Sequence, residues 1–221
     1  MMSADKVVLL DFWVSPFSMR VKIALLEKNI EFEVMHEDLL GNKSELLLRS
    51  NPIHKKVPVL LHDNKPICES LIIMNYIEEK WLSPALLPKC PYERSVIRFW
   101  ADFVDKKLFE GGRSTWMTKG EALETAKIEF IEILKQLEGF LGERNFFNGD
   151  SFGFLDIVII PMTSWFPAYE QCGGFKVDAE CPKLAAWINR CMERESVSKV
   201  LPDPVKVYEF VSMMRKMHGL E

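Results

Sequence analysis

Apolar positions along the chain change rhythm roughly eighty residues in. Before that point short apolar runs alternate with turn-forming residues; after it they recur at helical spacing. Val7, Val8, Leu9 and Leu10 form a run rich in β-branched residues and predict a buried strand. Ser15 followed by Pro16 predicts a helix start, with a hydroxyl at the N-cap and proline at the first helical position. Val21, Ala24, Leu25 and Lys28 continue that helix, and Asn29 ends it. Phe32 and Val34 alternate with Glu31 and Glu33, which predicts a second strand. A helix between two strands makes them parallel neighbours with a right-handed crossover. Residues 57–62 and 66–69 flank Asp63, Asn64 and Lys65, a turn-forming trio, and so predict a hairpin. A helix over 70–81 follows, with Leu71, Met74 and Ile77 on one face.

Residues 82–91 then carry Pro84, Pro88 and Pro91, which helix interiors exclude, so a linker is expected over 83–91. The clearest later helix spans 121–142, where Leu123, Ala126, Phe130, Leu134, Leu137 and Leu141 make one apolar stripe. Gly153 predicts another N-cap, with Asp156 placed to reach back to the cap amide. Residues 157–160 make that helix apolar nearly all round, so it is expected to be central and buried. Further helices are predicted over 183–194 and 204–218. The expected organisation is an α/β unit over 1–82, the 83–91 linker and an all-helical unit over 92–221.

Bulk properties narrow the function. The chain has 221 residues, enough for one large or two modest domains. A net charge of −4 gives no overall basic surface for nucleic acid. No run of eighteen apolar residues occurs, so no membrane-spanning helix is expected. The stretch from Met1 to Lys6 lacks the apolar core of a secretion signal. Cys68, Cys90, Cys172, Cys181 and Cys191 are odd in number, scattered and free of any C-x-x-C spacing. That pattern suits free thiols in the cytosol. His36, His54, His62 and His218 form no metal-ligand spacing with them, so no metal is expected.

Some residues carry chemistry, each beside a plainer reading. Ser15 as an N-cap hydroxyl stabilises its helix by about 1 kcal/mol. The same hydroxyl can donate to an anion, with the helix dipole of the right sign. If the anion is a thiolate, ionisation becomes easier: a free thiol has a pKa of ~8.5, and each unit of depression takes about 1.4 kcal/mol. No G-x-S-x-G elbow or Ser/His/Asp arrangement makes Ser15 a nucleophile. Pro58 removes a ladder donor, so Val57-Pro58 is either an edge-strand start or a bend whose Val57 backbone pairs with an extended peptide. Ser70 either caps its helix or, with Glu69, holds an α-amino acid head group. Lys43, Lys55 and Lys56 lie on loops, solvated unless a ligand carboxylate lies within reach.

These residues, in this order, resemble the glutathione transferases. The stretch Ser15-Pro16-Phe17-Ser18-Met19-Arg20-Val21, residues 51–60, Pro66-Ile67-Cys68-Glu69-Ser70-Leu71 and Gly153-Phe154-Leu155-Asp156-Ile157 are similar to the plant tau class, and the resemblance covers the whole chain. It implies a thioredoxin-like βαβ-ββα domain followed by an all-α domain. It implies that Ser15 stabilises the glutathione thiolate and that Val57 pairs with the cysteinyl backbone before a cis Pro58. Glu69 and Ser70 would hold the γ-glutamyl end, and Lys43 and Lys56 would meet the glycyl carboxylate. Phe12, Pro16 and Phe17 would lie beside the thiol. Phe109, Arg113, Trp116 and Trp165, with Phe210 on the last helix, would complete a hydrophobic substrate pocket. Phe109 stands where the class often has tyrosine, which implies a more apolar pocket.

The implied activity is conjugation of glutathione, a co-substrate rather than a resident cofactor, to hydrophobic electrophiles. The same thiolate can attack the O–O bond of organic hydroperoxides. A homodimer is implied, with no nucleic-acid or membrane partner. Two other classes stand beside it. A ligandin-type carrier of apolar ligands needs no thiolate stabiliser, so Ser15 favours the enzyme. A thiol-disulfide oxidoreductase of similar fold needs a cysteine at position 15, because a mixed disulfide requires a protein thiolate.

Overall fold

The structure, a computed structural model, describes residues 6–220. The N-terminal stretch read for a secretion signal lies, apart from Lys6, outside them. The chain divides between Leu86 and Leu87 into two compact units, a point within the proline-rich 83–91 segment.

The first unit runs β1 (Val7–Asp11), α1 (Pro16–Glu27), β2 (Glu33–His36), α2 (Glu45–Ser50), β3 (Val59–His62), β4 (Lys65–Cys68) and α3 (Ser70–Lys80). The sheet order is β2-β1-β3-β4, with β1 and β2 parallel and the other pairs antiparallel. This is the thioredoxin-like arrangement that the resemblance implied. β1 is buried along its whole length because both faces are covered. On one face Val8, Leu10, Val59 and Leu61 pack with Leu47 of α2. α1 and α3 pack together, and α3 lies on β3 and β4.

The first unit departs from the sequence reading in several places. α2 was not anticipated: its six residues are too few to show a helical period, although Ser44 caps it, accepting the Leu47 N–H at 3.0 Å. The hairpin turn is shorter than expected. Asp63 and Asn64 both adopt positive φ (49° and 63°), the geometry of a two-residue turn, and Lys65 pairs with His62 inside the ladder. β2 is exposed throughout as an edge strand, so its alternation marks no buried face. At α3 the cap position belongs to Glu69, not Ser70.

One buried ion pair fastens the end of this unit. Lys28 Nζ lies 2.5 Å from Glu78 Oε2 and also donates to the Trp81 carbonyl at 2.6 Å. Glu78 in turn accepts the Leu86 N–H with both oxygens. The pair therefore satisfies backbone groups beyond α3 that would otherwise be buried without partners.

The second unit is helical: α4 (Pro91–Phe103), a π-helical turn at Val104–Leu108, α5 (Phe109–Met117), α6 (Glu121–Leu141), α7 (Phe154–Thr163), α8 (Phe166–Gly173), α9 (Val177–Glu180), α10 (Pro182–Met192), α11 (Glu195–Ser198) and α12 (Pro204–Met217). Every residue of α7 is buried, as its all-round apolar pattern predicts. α5 lies against Tyr169 of α8 because position 112 is glycine; a Cβ there would meet the ring at 2.3 Å.

Asp156, in the first turn of α7, is a fully buried junction. Its carboxylate accepts N–H groups from Gly153 (3.0 Å), Phe147 (2.9 Å) and the Trp187 indole (2.8 Å). Burial raises its pKa from 3.8 to about 6, against the pull of those donors. A raised folded-state value stabilises the fold fully below about pH 4, and that contribution is lost as pH rises through about 6. The shift corresponds to something on the order of 3 kcal/mol. Asp156→Asn should therefore lose stability at every pH, because an amide cannot accept at both oxygens. The gap to wild type should widen on acidification from about pH 6 to about pH 4. Urea denaturation across that range measures it, and a constant gap would show that Asp156 does not titrate there.

Candidate active site

The sheet register brings the chemically loaded segments to one end. Leu10 pairs with Val59, and Val59 with Cys68. The loop after β1 carries Phe12 and Ser15, the loop before β3 carries Val57 and Pro58, and Glu69 with Ser70 follows β4. All three therefore emerge at the same edge of the sheet. β2 ends there as well, since Asp11 pairs with His36, and the chain continues from it towards Lys43.

Ser15 is held by its own turn. Its N–H donates to the Phe12 carbonyl at 2.8 Å, and its Oγ accepts the Ser18 N–H at 3.3 Å. An accepting hydroxyl still has its proton to give, and α1 has no acidic residue in its first turn to oppose an anion. Buried Asp11 steadies the turn from below. Its carboxylate pairs with Lys22 Nζ of α1 at 2.5 Å and His36 Nδ1 at 3.3 Å, and its carbonyl accepts the Glu37 N–H at 2.8 Å.

The Val57–Pro58 bond is cis. β3 begins only at Val59, so Val57 stands outside the ladder. The preceding loop is shaped by Asn51, whose side chain donates to the Lys56 carbonyl (3.0 Å) and accepts the His54 N–H (3.1 Å). Lys43 Nζ donates to the Lys55 carbonyl at 2.9 Å, which gathers Lys43, Lys55 and Lys56 into one exposed basic group.

Glu69 sits at φ 69° with its side chain exposed, 3.9 Å from His54 Nε2. Ser70 is buried, and its hydroxyl accepts from Arg20 Nη1 at 3.0 Å. Ser70 is the first helical residue of α3, one past the cap position. Arg20 is fully buried on α1 and lies over the Phe17 ring at 5.0 Å. It joins the helix that Ser15 caps to the first residue of α3. Arg20, Asn51 and His54 lie in stretches quoted from the sequence, but no role was read for them: Arg20 and His54 meet Ser70 and Glu69 only on folding, and Asn51 shapes its own loop. Cys68 is no nucleophile: its Sγ contacts the Ser50 carbonyl, and burial first, then Glu69, pushes its thiol pKa up.

In the helical unit, three of the expected pocket residues meet. Trp116 of α5 stacks on Trp165 at 6.5 Å, and Trp165 meets Phe210 of α12 edge-on at 6.0 Å. Both tryptophans are buried, while Phe210 is half-buried. Phe109 opens α5 half-buried, and Arg113 pairs with Glu110 one turn away at 3.5 Å, both exposed to solvent. Among the described residues no cluster of His, Cys, Asp or Glu could hold a metal ion, and no helix is long and apolar enough to cross a membrane.

Residues 5–79 match the family model for the glutathione S-transferase N-terminal domain, and residues 120–190 match that for the C-terminal domain. A probable glutathione S-transferase, parC, from Nicotiana tabacum is 59% identical over the full length of both chains. The chain belongs to the glutathione S-transferase family. Arabidopsis thaliana glutathione S-transferase U25 is 54% identical over 99% of both chains. The crystal structure of rice GST1 in complex with glutathione superposes with a TM-score of 0.94 at 49% identity, covering 97% of this chain and 98% of that one. The tau-class transferase from mango superposes at 0.90 with 40% identity, covering 95% and 98%. Membership of the plant tau class, expected from the motifs, is borne out.

The raised Cys68 pKa has a measurable consequence in this transferase. Iodoacetamide at about pH 7.5 should modify Cys68 more slowly than it modifies N-acetylcysteine, and Cys68→Ser should keep full conjugating activity. Rapid labelling seen by peptide mass spectrometry would contradict the burial argument.

Proposed function

We propose that this transferase conjugates glutathione to hydrophobic electrophiles, with the Ser15 hydroxyl holding the glutathione sulfur as a thiolate. The observation that supports this most is the convergence of Ser15, Val57 and Glu69-Ser70 at one end of the sheet. The glutathione held by the rice relative supports it further.

The cysteinyl residue of glutathione pairs as a short strand with the Val57 backbone beside cis Pro58. The γ-glutamyl carboxylate lies at the N-terminus of α3, where the Ser70 hydroxyl accepts from Arg20 and so has its proton free to donate. Glu69 takes the ammonium, and Lys43 and Lys56 meet the glycyl carboxylate. An acidic protein thus offers a locally basic rim to an anionic peptide. The sulfur then faces the Ser15 O–H and the start of α1. A charge-assisted hydrogen bond plus the dipole stabilise the thiolate by about 3 kcal/mol, roughly two pKa units, so the thiol proton leaves to water at neutral pH.

The thiolate attacks the electrophilic carbon. In substitution a C–S bond forms and the leaving group departs with its electron pair; in addition the new carbanion takes a proton from water. No covalent enzyme intermediate is needed, and rate comes from ionisation and placement. In the first unit Phe12, Pro16 and Phe17 beside Ser15 contribute apolar surface. Within the helical unit Phe109, Arg113, Trp116, Trp165 and Phe210 form a group of their own that binds the electrophile. A ligandin role would leave the anion site at α1 without purpose. Free cysteines, including exposed Cys90, suit a cytosolic setting.

Ser15→Ala should bind glutathione with near-native affinity yet lose about a hundredfold in kcat near neutrality, recovering as the pH rises towards the free-thiol pKa. Unchanged turnover between about pH 6 and 8 would remove the thiolate role.

A homodimer fits the uncovered apolar side chains on each unit: Ile53 (84% exposed) and Ile72 (59%) on the first, Tyr92 (75%) and Phe99 (64%) on the second. Light scattering should give twice the 25.6 kDa of one chain, and a monomer at micromolar concentration would rule this out.

A further inference from the structure

The last two turns of α12 are held in an unusual way. Val207 and Val211 anchor the helix in the core, but past Val211 no residue of α12 is buried. Arg215 ties this stretch down instead. Its Nη1 donates to the Trp116 carbonyl at 2.5 Å, and its Nη2 donates to the Leu220 carbonyl at 3.2 Å. Trp116 lies in the last turn of α5, where carbonyls have no partner within the helix and the dipole is negative. Leu220 lies just beyond the end of α12. A single guanidinium thus bridges the carboxyl ends of two helices, a geometry that suits its planar fork and that an ammonium cannot copy.

The residue whose carbonyl is held also carries the side chain that begins the aromatic group. Trp116 stacks on Trp165, and Trp165 meets Phe210, which stands five residues before Arg215 on the same helix. The backbone of Trp116 and the helix bearing Phe210 are therefore joined twice, by ring contacts and by Arg215.

We infer that Arg215 is a positioning residue for the electrophile, a latch that keeps Phe210 and Trp116 at the spacing where they grip an apolar substrate. This rests on the proposed role of Trp116, Trp165 and Phe210 in electrophile binding. Arg215 acts through Trp116 and Phe210 and touches neither glutathione nor the reacting atoms. Its loss loosens the C-terminal half of α12 while the Val207 and Val211 anchors keep the helix folded.

The test is steady-state kinetics of the full-length enzyme with 1-chloro-2,4-dinitrobenzene and with benzyl isothiocyanate, for wild type, Arg215→Ala, Arg215→Lys and Trp116→Ala. Arg215→Ala should raise KM for both electrophiles at least about fivefold and leave KM for glutathione within twofold. Arg215→Lys, which keeps the charge but reaches one carbonyl, should fall between it and wild type. Acrylamide should quench tryptophan fluorescence more strongly in Arg215→Ala. A merely structural role would lower the amount of active enzyme and leave both KM values unchanged. That outcome in Arg215→Ala or, should that variant not fold, in Arg215→Lys overturns the latch. If Trp116→Ala changes the electrophile KM and the Arg215 variants do not, the latch alone fails. If Trp116→Ala also leaves it unchanged, the assignment of the aromatic group fails with it.

Discussion

Leu10, Val59 and Cys68 lie side by side across three paired strands, and the segments bearing Ser15, Val57 and Glu69 leave the sheet from that row. A slip of one residue in either pairing would turn every side chain of a strand to the opposite face. It would also part Ser15 from Val57, and Val57 from Glu69. The register is protected by burial on both faces: Val8, Leu10, Val59 and Leu61 are committed to the core beneath α2. The convergence of Ser15, Val57 and Glu69 is in that sense a by-product of core packing, and the loops need only continue in the direction the strands already set.

The electrostatics build on the same row. The proposed ligand is an anion with several charged ends, whereas the chain as a whole is acidic. The fold answers with local devices instead of bulk charge. Two helix N-termini, at Ser15 and Ser70, face the same region, and Lys43, Lys55 and Lys56 gather through the hydrogen bond from Lys43 to the Lys55 carbonyl. Arg20 lets one buried cation serve both helices, since its bond to Ser70 ties α1 to α3. In the helical unit the comparable junction is an anion: Asp156 collects three N–H donors, from Gly153 in its own cap, from Phe147 in the preceding loop and from the distant Trp187. Arg20 with Ser70 and Asp156 with Trp187 satisfy buried polar groups with partners that local sequence does not contain.

Legibility of the fold followed from whether a signal was local. The start of α1 could be read because Ser15 and Pro16 supply the cap and the first helical position by themselves. α6 could be read because twenty-one residues repeat one period often enough to be unmistakable. α2 could not, having six residues. The hairpin was read with a turn one residue too long, because Asp63 and Asn64 show their positive φ only in three dimensions. Ser70 looked like a cap and is instead the acceptor for Arg20, fifty positions earlier. The same divide runs through the site. Ser15, Val57, Pro58, Glu69 and Ser70 could be given roles from their motifs, whereas Asn51, His54 and Arg20 stood in the same motifs without one, and Arg215 stood in none.

The sequence by itself determined the family, the thioredoxin-like order of elements, the helical second half and the hydroxyl that opens α1. Those depend on neighbours within a few residues, or on motifs whose order survives without coordinates. Only the tertiary structure decided which polar groups meet. Arg20 with Ser70, Lys28 with Glu78, Asp156 with Trp187 and Arg215 with Trp116 are all pairs far apart along the chain. The physical reason is that a buried donor must find an acceptor wherever packing leaves one, and packing is a property of the whole unit.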